Sequence, residues 1–480
     1  MQRIFLFTAL AGLFLWSCST PVQEDQSHHN RDLQLSSDRM TPEALWSFGR
    51  LGSTRVSPDG QTVLYSVTYT HIGEDRSYTD LYTVPVTGGT PVQITNTALN
   101  EGQADWRPDG RKITFLSSAS GAVQLWEMNP DGSERRRVSD IEGGISGYAY
   151  APDLRHIAYS KPVKLDQTIN ERYPDLPKAN ARIEDDLMYR HWDSWHDHHY
   201  SHLFVASYTP GGSLTEGTDI MEGERFDAPL KPFGGMEQVA WSPDGQELIY
   251  TCKKLSGRDY AFSTNSDLYA YRLSDGSTRN LTEGMPGYDM NPLFSPDGTR
   301  LVWESMARDG YEADKNRLFI MDWESGEKRD LTIGFDHNAG SPVWDRDLDY
   351  LWFSSNREAT YQLHLLDINS GAIHQVTEGV HNLNTVAHTG DALIATRVSM
   401  SEPADVFRIE IETGNNSNLS RINEGLLGQL TMGKVEERWI KTSDNKDMLV
   451  WVIYPPHFDP NKKYPAILYC QGGPQSGVSQ

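Results

Sequence analysis

Short apolar or alternating runs, each entered through a tight-turn signature, recur along the chain. Thr62-Val63-Leu64-Tyr65 follows Val56-Ser57-Pro58-Asp59-Gly60, and Glu247-Leu248-Ile249-Tyr250 follows Trp241-Ser242-Pro243-Asp244-Gly245. Further copies read WRPDG at 106–110, YAPDL at 150–154 and FSPDG at 294–298, with a worn copy, WDRDL, at 344–348. Pro presets the turn and Gly supplies its left-handed position, so each copy predicts two antiparallel strands joined by a hairpin. A second element trails each copy. It starts at Asp80-Leu81-Tyr82, Gln124-Leu125-Trp126, His202-Leu203-Phe204, Asp267-Leu268-Tyr269, Arg317-Leu318-Phe319, Gln362-Leu363-His364 and Asp405-Val406-Phe407. The first of these runs through Gly88-Gly89 to Ile94-Thr95, again a hairpin pattern.

Two hairpins per unit make a four-stranded sheet, and a period of roughly forty-five residues is that of a propeller blade. Seven second elements predict a seven-bladed, all-β propeller over residues 41–428. The aspartates and glycines of the repeats are turn formers on this reading. The third unit is longer than the others, which predicts an insertion at about 163–200.

Composition agrees with a turn-rich β protein: the 480 residues include 40 glycines and 25 prolines. The formal net charge of −23 argues against nucleic acid, whose phosphates require a basic surface. Residues 1–18 form a signal segment, with Arg3 as its basic flank and an apolar run from Ile4 to Leu15 too short to span a bilayer comfortably. Leu15-Trp16-Ser17-Cys18 resembles a bacterial lipobox with Trp16 in place of the usual small residue, making Cys18 the expected lipidation site. An ordinary secretory signal is the alternative, but no Ala-x-Ala site follows the run. Residues 19–40 are polar and aperiodic, as a tether is. Cys252 and Cys470 both fall in expected strands far apart in sequence, which reads as two buried, unpaired cysteines.

The insertion holds the most chemically loaded stretch, ARIEDDLMYRHWDSWHDHHYSH at 181–202. Histidines 191, 196, 198, 199 and 202 invite a metal reading, yet they lack a recognised ligand spacing, which favours structural or surface roles. Glu184, Asp185 and Asp186 read equally as a solvated charge run.

Beyond residue 428 the pattern changes. Residues 435–441 and 448–454 flank TSDNK as a hairpin, and a proline-rich loop leads to residues 466–470, which read as a short buried strand. A Gln471-Gly472-Gly473-Pro474 turn follows. The stretch WVIYPPHFDPNKKYPAILYCQGGPQ, preceded by a repeat propeller, resembles the prolyl oligopeptidase family of serine peptidases, in its dipeptidyl-peptidase 5-like branch. TPEALWSFGRLG and DDLMYRHWD add to the resemblance, which covers essentially all of the mature chain. It implies that residues 429–480 begin an α/β-hydrolase domain whose Gly-x-Ser-x-Gly nucleophile, aspartate and histidine lie beyond Gln480. Ser479 is then an ordinary loop serine, and none of the catalytic triad is in this chain. The resemblance makes Gln471 and Gly472 candidates for the loop that stabilises the oxyanion.

It further implies an exported serine peptidase that releases dipeptides, or short acyl-peptides, from the amino terminus of oligopeptides, with the propeller gating access. Glu184, Asp185, Asp186 and Asp193 become candidates for holding the substrate's free ammonium group, with Tyr189 and Trp192 walling the site. No metal or organic cofactor is implied. Short peptides are the expected partners, with membrane contact only through a lipid and an oligomer left open. The expected location is the cell envelope of a Gram-negative bacterium, in the periplasm or on the outer membrane. An acylaminoacyl peptidase or oligopeptidase is the nearest enzyme alternative. From another class, a non-enzymatic propeller lipoprotein that only binds partners competes, since fold alone does not decide function.

Overall fold

The computed structural model describes residues 33–470 and 477–480. Seven four-stranded antiparallel sheets follow one another along the chain, at residues 50–93, 102–137, 147–219, 239–280, 289–330, 340–375 and 382–418. They are the seven blades expected from the repeat. First strands of successive blades pack together, as Arg50–Val56 does with Gly102–Trp106 and Gly340–Trp344 with Asn382–His388, so first strands line the axis.

The Pro-Asp-Gly copies form the turns between first and second strands. The Gly60 amide donates to the Ser57 carbonyl at 2.8 Å with Gly60 at φ 73, and Gly245 repeats this on Ser242 at φ 68. Leu154, the copy without glycine, takes the same left-handed backbone at φ 57, a conformation that a Cβ disfavours.

The second signature fixes each third strand. In six blades a hydroxyl accepts the amide of the residue fourteen positions earlier: Leu81 on Thr95 at 2.8 Å, Leu125 on Ser139 at 2.8 Å, Leu268 on Thr282 at 3.0 Å. Leu318 on Thr332, Leu363 on Thr377 and Val406 on Ser420 complete the series. In five of the six the hydroxyl then donates to the side chain one position before that amide, as Thr95 does to Asp80 and Thr377 to Gln362; Thr332 donates to Asp330 instead. Buried backbone and side-chain polar groups are thereby satisfied together.

The hydrophobic core lies between blades. Leu64 and Leu81 of blade 1 meet Trp106, Ile113 and Phe115 of blade 2, and a separate cluster fills each of the other interfaces around the ring. Alternate residues of one strand face opposite neighbours: Leu64 faces blade 2, whereas Val63 and Tyr65 pack with Ile394 and Val406 of blade 7. Middle strands are therefore buried on both faces and read as continuous apolar runs rather than alternating ones. Blade 7 closes on blade 1 through that apolar cluster, since each sheet is built from one contiguous stretch of chain.

After the propeller, Val435–Lys441 pairs with Asp447–Ile453 as a hairpin, as expected. Two expectations fail beyond it. Residues 466–470 form no strand, and Ile467 and Leu468 are 97% and 84% exposed. Cys470 is exposed, while Cys252 is buried as expected. The physical reason is that a strand needs a neighbour to take its backbone hydrogen bonds, and among the described residues the hairpin is the one sheet outside the propeller and its insertion.

Candidate functional site

The insertion grows from the middle hairpin of blade 3. Strands His156–Lys164 and His199–Ser207 pair without interruption from His156↔Ser207 to Lys164↔His199, and residues 165–198 form the excursion beyond. A one-turn helix, Ile169–Arg172, opens it with a capping box between Thr168 and Glu171. Lys164 also donates to Glu171, and these donors hold its carboxyl down at about 2. A small hairpin, Arg190–His191 with Ser194–Trp195, forms the tip, where Trp192 turns at φ 52.

The acidic candidates turn to different partners. Glu184 lies 3.8 Å from Arg182, and Asp185 lies 3.6 Å from Arg172, so both have cations within the insertion itself. Asp186 accepts the Leu187 amide at 2.8 Å and abuts Gly257 of blade 4, where an added Cβ would sit 2.6 Å from its Oδ2. Asp193, at the tip, accepts from the Ser194 hydroxyl at 3.2 Å. The three consecutive carboxylates do not converge on one point.

Aromatic side chains do converge. Tyr189 stacks on Trp195 at 6.0 Å, with the guanidinium groups of Arg182 and Arg190 at 5.2 Å and 5.9 Å from the indole. Trp192 meets Phe233 at 5.2 Å, although these side chains are 65% and 78% exposed. Phe233 belongs to the segment linking blades 3 and 4. It was missed in the sequence, where the one signal is an aromatic between Pro232 and two glycines.

In an antiparallel blade the connection between strands 2 and 3 and the link to the next blade share one side, opposite the Pro-Asp-Gly turns. That side carries Ile72, Trp192, Phe262 and Tyr311 in 2–3 connections, and Phe233 and Ile333 in links, all exposed. Of these, Trp192 and Phe233 touch each other, and contiguous exposed apolar surface is what marks an interaction site. The opposite side carries a polar cleft of about 620 Å³ between blades 4 and 5, lined by Glu247, Arg272, Arg279 and Trp323. Glu247 accepts from both arginines there, at 3.0 Å and 2.8 Å.

The histidines scatter. His196 packs on Tyr200 at 4.7 Å, and burial lowers its pKa; His199 Nδ1 faces the Asp197 carbonyl at 2.8 Å. His202 is fully buried at the insertion's root. Among the described residues no three His, Cys, Asp or Glu side chains gather as a metal site requires. Cys18, Gln471 and Gly472 lie outside the described residues.

Residues 240–426 match the model of the TolB beta propeller domain. The chain is 43% identical over 443 residues to dipeptidyl-peptidase 5 of Porphyromonas gingivalis, covering 92% of this chain and 64% of that protein. It is 42% identical over 475 residues to dipeptidyl-peptidase 5 of Porphyromonas endodontalis, covering 98% of this chain and 68% of that one. The chain thus spans about two thirds of the length of these relatives. A solved acylaminoacyl peptidase, in complex with Z-Gly-Gly-Phe-chloromethyl ketone, shares the fold at TM-score 0.69 and 16% identity, over 89% of this chain and 61% of that one. The chain belongs to the prolyl oligopeptidase family, in the branch of the dipeptidyl-peptidase 5 proteins.

Proposed function

We propose that the full-length protein is an exported serine peptidase that releases dipeptides from the free amino terminus of oligopeptides. The observation that carries this reading is the 42–43% identity to two proteins named dipeptidyl-peptidase 5, held across nearly the whole chain. The remaining third of the relatives' length is where the reading places the nucleophile, its histidine and its aspartate. The serine attacks the scissile carbonyl carbon, the histidine takes its proton and returns it to the leaving amine, and water then hydrolyses the acyl-enzyme. Gln471 and Gly472 are proposed to donate hydrogen bonds to the oxyanion.

The apolar side of the propeller, opposite its Pro-Asp-Gly turns, supports placing the hydrolase domain over that face. Substrate would then lie between the domains, and the ring would exclude long folded chains. A cutter that measures two residues from an amino terminus needs a negative charge facing the ammonium group, and Glu184, Asp185, Asp186 and Asp193 sit on an insertion of this face. Lipidation of Cys18 would hold the protein in the cell envelope. Stable anchoring needs more than one acyl chain, as bacterial lipoproteins carry.

The test is labelling of the full-length protein by a fluorophosphonate probe, together with hydrolysis of dipeptidyl-coumarin substrates. Labelling with turnover is expected. Absence of both would leave the non-enzymatic propeller, and turnover confined to acylated amino acids would make it an acylaminoacyl peptidase.

A further inference from the structure

His202 lies in the third strand of blade 3 and opens that blade's copy of the second repeat element, the position held by Asp80, Gln124, Asp267, Arg317, Gln362 and Asp405 in the other blades. In those six, a threonine or serine hydroxyl fourteen residues after the next position braces the strand. Blade 3 has Gly217 at that place and no hydroxyl. An imidazole–carboxylate pair stands there instead, in the one blade that carries the insertion. His202 Nδ1 lies 2.8 Å from Asp219 Oδ2, and Nε2 lies 2.8 Å from the Glu224 carbonyl. A carboxylate and a carbonyl are both acceptors, so the buried ring satisfies both only when each nitrogen carries a proton.

Of the partners of His202, Asp219 ends the fourth strand of blade 3 and Glu224 belongs to the link to blade 4, and the link touches both the insertion and the strand that returns from it. Arg225 donates to Asp166 at 2.8 Å, just past the insertion's first strand. Asp227 accepts the Ser201 amide at 2.7 Å, and the Ala228 amide donates to the Ser201 carbonyl at 2.8 Å. Lys231 donates to the His199 carbonyl at 3.0 Å, and Phe233 reaches Trp192 at the tip. Residues 219–233 are thus a strap from root to tip, and His202 is the group buried beneath its start.

We propose that His202 is a positioning residue whose protonation fastens the 219–233 strap to the root of the insertion, making the seat of Trp192 against Phe233 sensitive to pH. The surrounding charges are accounted for. Lys161, opposite His202 in register, is paired with Glu216 at 2.5 Å. The Glu224 carboxylate is paired with Lys254 of blade 4 at 2.7 Å, and Asp227 with Lys231 at 3.2 Å. Asp219 is left facing the imidazole. Burial works against the charged ring, but the Asp219 hydrogen bond and its charge outweigh it and raise the histidine above its ordinary value. The fastening is therefore complete below about pH 6.5, the value of a free histidine, and is lost as pH rises through the higher folded value. Deprotonation leaves a ring nitrogen facing an acceptor, and the strap loosens.

The device works whatever the apolar face receives, and its readouts are independent of catalysis. In the full-length protein, nitrogen-15 spectra of the histidine side chains should show His202 with both ring nitrogens protonated at about pH 6. Hydrogen exchange, corrected for its intrinsic pH dependence, should show residues 219–233 and 165–198 losing protection as pH rises from about 6.5 to the folded value, about tenfold for each pH unit separating the two, and levelling off above it. In His202→Gln, an uncharged donor, that dependence should vanish. Asp219→Asn should lower the titration of His202. A neutral His202 at about pH 6 in the wild type overturns the proposal even if neither variant folds. So does a wild-type pH dependence of exchange that survives in His202→Gln.

Discussion

Asn423 spends both ends of its side-chain amide on the backbone of Gly49, 374 residues away: Nδ2 donates to the Gly49 carbonyl at 2.8 Å, and Oδ1 accepts the Gly49 amide at 2.8 Å. The two residues sit where the chain enters blade 1 and leaves blade 7. Among the described residues no strand crosses that junction, so this pair supplements the apolar cluster that joins the two blades. The site is tight as well, since a Cβ on Gly49 would sit 2.7 Å from both Ile422 and Tyr69.

Asn423→Ala should therefore lower stability by about 2–4 kcal/mol, because two buried backbone groups lose their partners at once. The urea midpoint measures this. A loss below about 0.5 kcal/mol, the scale of a neutral surface change, would mean that the apolar cluster alone closes the ring.

The third-strand brace makes a separate prediction in blade 6. Thr377 Oγ1 accepts the Leu363 amide at 2.9 Å and donates to Gln362 at 2.8 Å. Thr377→Val keeps the shape but strands a buried N–H, which should cost about 1–3 kcal/mol. Ser325→Ala, on an exposed turn, should stay within about 0.5 kcal/mol. Equal effects of the two in thermal unfolding would remove the brace from the account.

Much of this architecture was legible from local chemistry. Pro-Asp-Gly turns and third-strand signatures such as Asp80-Leu81-Tyr82 depend on neighbours a few residues away, so the seven blades emerged from pattern alone. Residues 466–470 were misread because an apolar run becomes a strand only beside another. Glu184, Asp185 and Asp186 looked like one cluster, yet Arg182, Arg172 and Gly257 draw them to three places. The opening position of His202 was visible in the repeat. Its partner Asp219 was not, because it stands away from the repeat's hydroxyl position.

Asp289 gives the propeller a pH dependence of its own. It is fully buried between blades 4 and 5 and accepts from Trp303 Nε1 at 2.7 Å. Burial raises its carboxyl to about 7, against the pull of the Trp303 and Ser305 hydrogen bonds. A carboxyl raised on folding costs stability once ionised, so the fold should strengthen as pH falls from above 7 toward 4. Asp289→Asn should raise the melting temperature at about pH 8 and change it little at about pH 4. The reverse ordering would contradict the assignment.

The acidic candidates of the insertion separate by their existing partners. Glu184 and Asp185 already face arginines, whereas Asp193 lies next to exposed Trp192 in sequence and, among the described residues, accepts from the Ser194 hydroxyl. In the full-length protein, Asp193→Asn should reduce kcat/KM for free dipeptidyl substrates about tenfold or more, and Glu184→Gln or Asp185→Asn far less. The ratio of rates on free and amino-terminally acylated substrates is the measurement. If Asp193→Asn, Asp186→Asn, Glu184→Gln and Asp185→Asn all leave that ratio unchanged, the insertion does not hold the ammonium group.

The most direct measurement is the mass of the first product that the purified full-length protein releases from one peptide, offered with a free and with an acetylated amino terminus. The predicted result is a dipeptide from the free form, followed by successive dipeptides, and little product from the acetylated form. Single acylated residues released from the acetylated form, or no product from either, would contradict it.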